Sequence, residues 1–274
     1  MNKTLFLFLF SSFLPLTSFA KSSQELEIKG STNQVMNILT MNIHCFKDDW
    51  KFRLSHILDK LNKISPDVIA FQEVCVDPIT HESEILYIKN FLTQNGYPIN
   101  AIEAQFTHYA WDQFDEYIVL ITKKNVSAID RGFLPESLLQ RGYIGFNIAK
   151  RWYINTHLEF RADNSQFRKN QINFLTNHFL NQSHLIMGDF NSSPDDEEQS
   201  IFKQKNYKSY FPGATQTGDD GNSHNNIDGF WFSPNFSSSL SSYSGSILFK
   251  EKVQDRYLSD HFAVLAQLDF FEGN

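Results

Sequence analysis

The sequence predicts an α/β layered fold whose strands end in polar side chains along one shared edge. Three observations predict it. The first is Leu185 to Pro194, LIMGDFNSSP, where three apolar residues form a short buried-strand signal. Gly188 then lets the backbone turn, and Asp189 and Asn191 stand at the tip as a carboxylate and an amide on alternate positions. An Asx turn, with both side chains bonded to local backbone, is the plain alternative. The second is recurrence: ILTMNIH (Ile38–His44), VIAFQEV (Val68–Val74), YINTHL (Tyr153–Leu158), Ile227-Asp228-Gly229-Phe230 and Ser259-Asp260-His261-Phe262. Each is an apolar run with an amide, carboxylate or imidazole near its end. The third is spacing. Asn42 precedes Glu73 by 31 residues and His157 precedes Asp189 by 32, with a helical pattern between the members of each pair. One strand-helix-strand unit used twice would bring all four tips to the same edge.

Taken in order, residues 1–20 read as a secretory signal peptide: Lys3, an apolar Leu5–Leu16, and Ser18-Phe19-Ala20 before Lys21. The stretch is too short and wrongly flanked for a stable membrane span. Residues 21–35 form a polar, flexible leader, and a single catalytic domain covers 36–270. Trp50, Leu54, Ile57, Leu58, Leu61 and Ile64 recur at helical spacing until Ser65-Pro66 stops them. A second helix covers Glu84 to Thr93 and ends at Asn95-Gly96, while Tyr97 to Tyr109 fits no single period. YIVLIT (Tyr117–Thr122) is a strand, Lys123-Lys124-Asn125 a turn, and Val126–Ile129 the next strand. Tyr143–Ile148 and Arg151–Thr156 form strands joined by a hairpin at Ala149-Lys150, and Gln166–Leu180 is helical. Asp195 and Asp196 are placed to cap a helix through Gln204, Pro212–Asn226 is a loop, and Ser-rich Ser237–Ser246 reads as a surface connection.

In that order, MNIH, FQEV, NTHL, GDFN, ID and SDH resemble the signature of the endonuclease/exonuclease/phosphatase superfamily, from about Met36 to Leu268. That superfamily includes pancreatic-type deoxyribonucleases, abasic-site endonucleases, bacterial sphingomyelinases and inositol-phosphate phosphatases. The resemblance implies a four-layer sandwich: two mixed β-sheets face to face, helices outside, in pseudo-twofold halves.

It also implies a magnesium- or manganese-dependent phosphodiesterase. Such hydrolysis needs a hard cation, an activated water and neutralisation of charge on phosphorus. Glu73 matches the principal metal carboxylate of the QE motif, with Asn42 and Asp260 completing the shell. His261 matches the phosphate-contacting histidine, Asp189 activates water or assists His157, Asn191 stabilises phosphorane oxygens, and Asp228 orients one imidazole. Glu116 stands where a glutamate pairs with the NTHL histidine, although adjacent Asp115 could take the place. Arg141 resembles the phosphate-contacting arginine, with a solvated surface charge as the alternative. His44, His108, His178 and His184 read as structural or surface residues.

Composition bounds the partners. With 274 residues, 27 of them Phe, the chain can fill one large core. A net charge of -7 argues against a general polyanion binder held by bulk charge, but not against a nuclease with a local basic groove and bound metal. Cys45 and Cys75 each lie two or three residues past a strand tip; neighbouring tips would allow a disulfide in an oxidising compartment, and free thiols are the alternative. The expected protein is a secreted or periplasmic monomer cleaved after Ala20. Lys123, Lys124, Arg151, Arg161, Arg168 and Lys169 are the cations available to a nuclease groove, whereas Tyr109, Trp111 and Phe114 would suit a sphingomyelinase entering a bilayer, or simply a core. Endonuclease is the leading expectation, sphingomyelinase-type phospholipase the alternative. Carboxylates and histidines at every motif argue against an inactive binding module.

Overall fold

The computed structural model describes residues 34–218 and 224–271. The expected signal peptide and nearly all of the expected leader lie outside the described residues, while Gln34 and Val35 already belong to the first strand. In chain order the first half runs β1 (Gln34–Asn42), α1 (Trp50–Ile64), β2 (Val68–Val76), α2 (Glu84–Gln94), β3 (Ala101–Ala110) and β4 (Phe114–Thr122). Next come β5 (Ala128–Phe133), β6 (Gly142–Ile148), β7 (Arg151–His157), α3 (Ser165–His178) and β8 (His184–Asp189). The chain closes with α4 (Ser200–Gln204), β9 (Lys208–Tyr210), β10 (Asp228–Phe232), α5 (Pro234–Ser237), β11 (Leu240–Leu248) and β12 (Ala263–Phe270).

Two six-stranded sheets result, ordered β11-β12-β1-β2-β4-β3 and β5-β6-β7-β8-β10-β9. The parallel pairs are β1/β2 and β7/β8, bridged by α1 and α3, and antiparallel neighbours flank each pair. This is the doubled strand-helix-strand unit expected from the spacing of Asn42 to Glu73 and His157 to Asp189.

The side-chain period of two explains the layering. Met36 and Ile38 of β1, Ala70 of β2 and Leu120 of β4 meet Phe146, Tyr153, Met187 and Phe230 in a core between the sheets. Their alternates Leu39, Met41, Ile69 and Val119 pack outward on Leu54, Ile57 and Leu61 of α1 and Ile88 of α2. On the second sheet Ile154, Ile186 and Trp231 pack outward on Ile172 and Leu175 of α3. Each such fully buried aliphatic side chain contributes roughly 1.5–3 kcal/mol. The inward parity that buries Ile38, Leu120, Tyr153, Met187 and Phe230 also puts Asn42, Glu116, His157, Asp189 and Asp228 between the sheets, each at its strand's end.

β2 breaks the parity. Its register against β4 shifts between Phe71 and Val74, and Glu73 has φ 52. Across this bulge Val74 joins the outer face with Ile69 and Phe71, and Glu73 is left within the bulge, lining the cleft. Beneath it, Gln72 Nε2 donates to Thr40 Oγ1 at 3.0 Å and to Asn155 Oδ1 at 2.7 Å. Asn155 Nδ2 in turn donates to the carbonyls of Phe71 and Val119, both at 2.9 Å. Two fully buried amides thereby stitch the sheets together below the site.

Several local expectations need correction. Gly188 does not turn the chain, since β8 continues to Asp189; it has φ 144, and a Cβ there would lie 1.9 Å from the Thr156 carbonyl oxygen. Neither aspartate caps the expected helix: Asp196 Oδ2 accepts from Ser193 N at 2.7 Å, and Asp195 pairs with Lys203 at 2.9 Å. A 3-10 turn, Glu197–Gln199, precedes α4. Ser237–Ser246 is largely strand, because β11 is a sheet-edge strand whose exposed serines need no apolar alternation. The strand expected at Val126–Ile129 is Ala128–Phe133, and the undecided stretch becomes β3. Ala149 and Lys150 form the hairpin turn as expected, both with positive φ. Among the described residues, no helix is long and apolar enough to cross a membrane.

Candidate active site

The polar strand ends meet in a cleft of about 690 Å³ at one edge of the sandwich. Asp189 lies at its floor. Its Oδ1 accepts from Asn191 N at 2.9 Å, and its Oδ2 accepts from Asn42 Nδ2 at 3.1 Å. The same oxygen lies 3.5 Å from His157 Nε2 and 3.8 Å from His261 Nε2. Asn42 Nδ2 also donates to Glu73 Oε1 at 2.7 Å, and Asn42 Oδ1 accepts from His44 N at 3.0 Å. Asn191, at φ 50, donates from Nδ2 to the Leu158 carbonyl at 3.0 Å.

The two imidazoles are held in opposite states. His157 Nδ1 lies 3.1 Å from Arg141 Nη1. Arginine can only donate, so Nδ1 accepts and the proton of the neutral ring sits on Nε2, facing Asp189. Burial, then the Arg141 charge, holds His157 well below the usual histidine range. His261 Nδ1 bonds Asp228 Oδ2 at 2.9 Å. Burial alone would discharge His261, but the carboxylates of Asp228 and Asp189 outweigh it and hold the ring well above its ordinary value. Asp228 is therefore the orienting partner, and its histidine is His261.

A second layer surrounds His157. Arg141 Nη1 and His157 Nδ1 lie 3.6 and 3.8 Å from Glu116 Oε1, and His108 Nε2 lies 3.6 Å from Glu116 Oε2. Arg141 is 2% exposed, so it is no solvated surface charge. Glu116, not Asp115, holds the position beside the NTHL histidine. Burial, then the Glu73 charge, pushes Glu116 up to about 8, and burial with Asp228 pushes Asp189 up to about 7. Burial and Arg141 push His108 down to about 4.

Gln216, Asn225 and Ile227 line one wall of the cleft. Thr217 N donates to the Asp260 carbonyl and Phe262 N to the Thr215 carbonyl, both at 2.7 Å, and Thr215 Oγ1 accepts from Asp228 N at 3.2 Å. Asp260 Oδ1 lies 3.2 Å from His44 Nδ1.

The family model for the endonuclease/exonuclease/phosphatase family matches residues 39–261, which takes in every one of these side chains. The chain belongs to the endonuclease/exonuclease/phosphatase family. Its members act on phosphodiester substrates such as nucleic acids, generally with a divalent metal, and this chain is accordingly a phosphoesterase or nuclease-like hydrolase. A family protein from Leptotrichia buccalis C-1013-b superposes with TM-score 0.69 at 17% identity, covering 86% of this chain and 100% of that one. One from Beutenbergia cavernae DSM 12333 gives 0.70 at 18%, covering 86% and 72%. Truncated Caenorhabditis elegans TDP2 gives 0.64 at 18%, covering 86% and 97%. Identities this low show the shared fold alone. No curated protein sequence matches significantly.

The donor set suits the divalent metal of the family. The ligand-type atoms of Glu73, His157 and Asp189 lie within 4.8 Å of one another, as do those of Asp189, Asp228 and His261; with both imidazoles protonated on the cleft side, the carboxylates are the donors free to bind a cation. Oxygen donors dominate, as magnesium and manganese prefer. Asp260 belongs to neither three-residue group but lines the same cleft.

The structure places the expected site residues on this cleft or directly behind it. His44 and His108, whose sequence context reads as structural or surface, both line it, as do Gln216, Asn225 and Phe160, which no motif marks. His44 carried a signal, two positions past Asn42. His108 carried none, because only the β3–β4 pairing brings it to Glu116. His178 and His184 are structural as read: His178 bonds Asp130 at 2.7 Å and His184 bonds Tyr207 at 2.6 Å.

The expected groove cations are mostly elsewhere. Lys123 and Lys124 pair with Asp67 at 3.5 and 2.9 Å, at the end of β2 opposite Glu73. Arg151 starts β7 and stacks on Phe270 at 4.3 Å, at the opposite end from His157. Arg168 is buried against Glu198 at 2.6 Å, and Lys169 pairs with Glu197 at 2.6 Å. The pairing of Cys45 with Cys75, left open by the sequence, is a disulfide.

Proposed function

We propose that this chain is an exported, divalent-metal-dependent phosphodiester hydrolase of the nuclease type. One observation carries the chemistry: Asp189 is held by two amide donors and faces a neutral His157 and a protonated His261 on the floor of a water-accessible cleft. Asp189, facing both imidazoles at the cleft floor, is placed to take a proton from water. The water oxygen attacks phosphorus, its proton passes to Asp189, and the bond from phosphorus to the leaving alcohol breaks. His261, kept charged by Asp228, donates to a phosphoryl oxygen as negative charge grows there. His157 directs its Nε2 hydrogen at Asp189 and fixes that carboxylate, while Arg141, beside Glu116, sets the tautomer. Glu73, with Asn42 and Asp260, would hold the metal, which supplies Lewis-acid stabilisation of the phosphoryl oxygens. Export is supported by the signal-type residues 1–20 and by the Cys45–Cys75 disulfide, a bond of oxidising compartments.

The test compares bis-p-nitrophenyl phosphate, single- and double-stranded DNA, RNA and sphingomyelin vesicles, with and without chelator. Hydrolysis of the chromogenic diester and of nucleic acid, lost in chelator and restored by magnesium or manganese, is expected. Cleavage of sphingomyelin but no nucleic acid would replace the nuclease reading with a phospholipase one. Full activity with metal verified absent would remove the metal.

A further inference from the structure

The first sheet's edge carries unlike chemistry at its two ends. Across β12, β1, β2, β4 and β3 it runs from the segment preceding β12, through Asn42 and Glu73, to the β3–β4 hairpin. Five adjacent strands set these ends about 19 Å apart. At the hairpin end Tyr109 and Trp111 line the catalytic cleft yet are 61% and 57% exposed. Trp111 is braced edge-on against Phe114 at 6.3 Å, and Phe114 against Phe46 at 5.0 Å. The turn itself runs through two left-handed residues, Trp111 at φ 50 and Asp112 at φ 55, so the ring is presented by a tight hairpin. Phe160, also on the cleft wall and exposed, has the guanidiniums of Arg141 and Arg161 over its ring at 5.8 and 5.7 Å.

At the other end a second cleft of about 170 Å³ adjoins the first and shares His44 and Asp260 with it. Lys252 and Arg256 line it with exposed side chains, and Lys252 lies 4.8 Å from the centroid of Tyr257. Carboxylates of Asp48, Asp255 and Asp260 and the buried Arg53 share this cleft, so it is no bulk anion trap; its exposed cations are Lys252 and Arg256.

We propose that the edge is a track for a short single strand of nucleic acid, with a base stacked on Tyr109 and Trp111 and a phosphate further along the strand met by Lys252 and Arg256. This rests on the nuclease reading above. Stacking on exposed rings accepts any base and needs the base unpaired. A duplex would need a broad basic face, and Lys123 and Lys124, expected to supply it, are at the far end of the sheet. A membrane-inserting tip would hold its rings clear of the cleft, whereas these rings form its wall.

The test measures kcat/KM for bis-p-nitrophenyl phosphate, a dinucleotide, a single-stranded hexanucleotide and the same sequence as duplex. Wild type should prefer the single strand to the duplex, and the hexanucleotide to the dinucleotide. Trp111→Ala should lower hexanucleotide efficiency by at least about tenfold more than it lowers chromogenic-diester efficiency, the scale of one lost base stack. Lys252→Ser and Arg256→Ser should each flatten the salt dependence for the hexanucleotide by about 0.7 in the log–log slope. Circular dichroism of each variant confirms folding. Equal losses on all substrates, or preference for duplex, would overturn the track while leaving the nuclease reading intact. No cleavage of any nucleic acid, with the diester still hydrolysed, would overturn both. Loss of sphingomyelin-vesicle binding in Trp111→Ala, with no change on oligonucleotides, would reassign the rings to lipid.

Discussion

Asp228 and Glu73 show how much of this site depends on placing single charges. Asp228 is fully buried and spends one carboxylate oxygen on His261 Nδ1. Asp228→Asn keeps the shape and removes the charge that outweighs burial of the ring. Titration of His261 followed by NMR should then move to lower pH, and kcat should fall about 100- to 10,000-fold, the range for a positioned acid–base group. An unmoved titration would show that Asp189 alone keeps the ring charged. Glu73→Gln should weaken magnesium and manganese binding, read by calorimetry, and remove most turnover with the fold intact. The sequence showed these side chains because each ends an apolar run. It could not show which imidazole Asp228 would meet, since that depends on β10 pairing with β8 and on the turn before β12. The basic residues misled for a related reason. Lys123 and Lys124 follow the strand near whose start Glu116 lies, and seven to eight extended residues put them roughly 25 Å away, past its opposite end.

At the scale of elements, β1, β2, β7 and β8 were legible because parallel strands buried on both faces read as continuous apolar runs. β11 was not, because a strand at a sheet edge with one wet face can be written in serine. Joining the β1 and β2 ends is the Cys45–Cys75 disulfide, with both sulfurs buried and Cys45 N donating to the Glu73 carbonyl at 2.8 Å. Arg53 reinforces the same turn, donating to the carbonyls of Ile43, His44, Cys45 and Lys47. The bond closes a loop of 30 residues in sequence separation. The double variant Cys45→Ala/Cys75→Ala should lose roughly 3–4 kcal/mol in urea unfolding, on the chain-entropy account. Because the tether lies beside Glu73, metal affinity should fall as well, at urea concentrations where the variant is still folded.

Part of the whole molecule's pH dependence should originate far from the cleft. His184 is buried under the second sheet, bonded through Nε2 to Tyr207 and through Nδ1 to the Gln182 carbonyl. Burial pushes it down to about 4. An unfolded histidine takes up its proton near 6.5, so below that pH the unfolded chain binds more protons than the folded one. The stability from keeping His184 neutral is therefore complete above about pH 6.5 and is lost as pH falls through about 4, by up to roughly 3 kcal/mol. His184→Gln should flatten the urea midpoint across that window; an unchanged slope would assign the acid lability to other groups.

The bulge in β2 sets a rule for length as well as for shape. Before it the strand's even positions face the other sheet; past it that face belongs to odd ones. Glu73 is thus the residue that changes the strand's reading frame between its two sides. Deleting it, or inserting one residue between Phe71 and Val74, would not remove one carboxylate but would exchange inside for outside at every position downstream. Val74 would be driven off the helices and Cys75 turned away from Cys45. Substitutions at Glu73 interrogate a ligand, whereas one-residue indels interrogate the frame. Homologues that differ in loop lengths elsewhere should therefore keep the count between Phe71 and Val74 fixed.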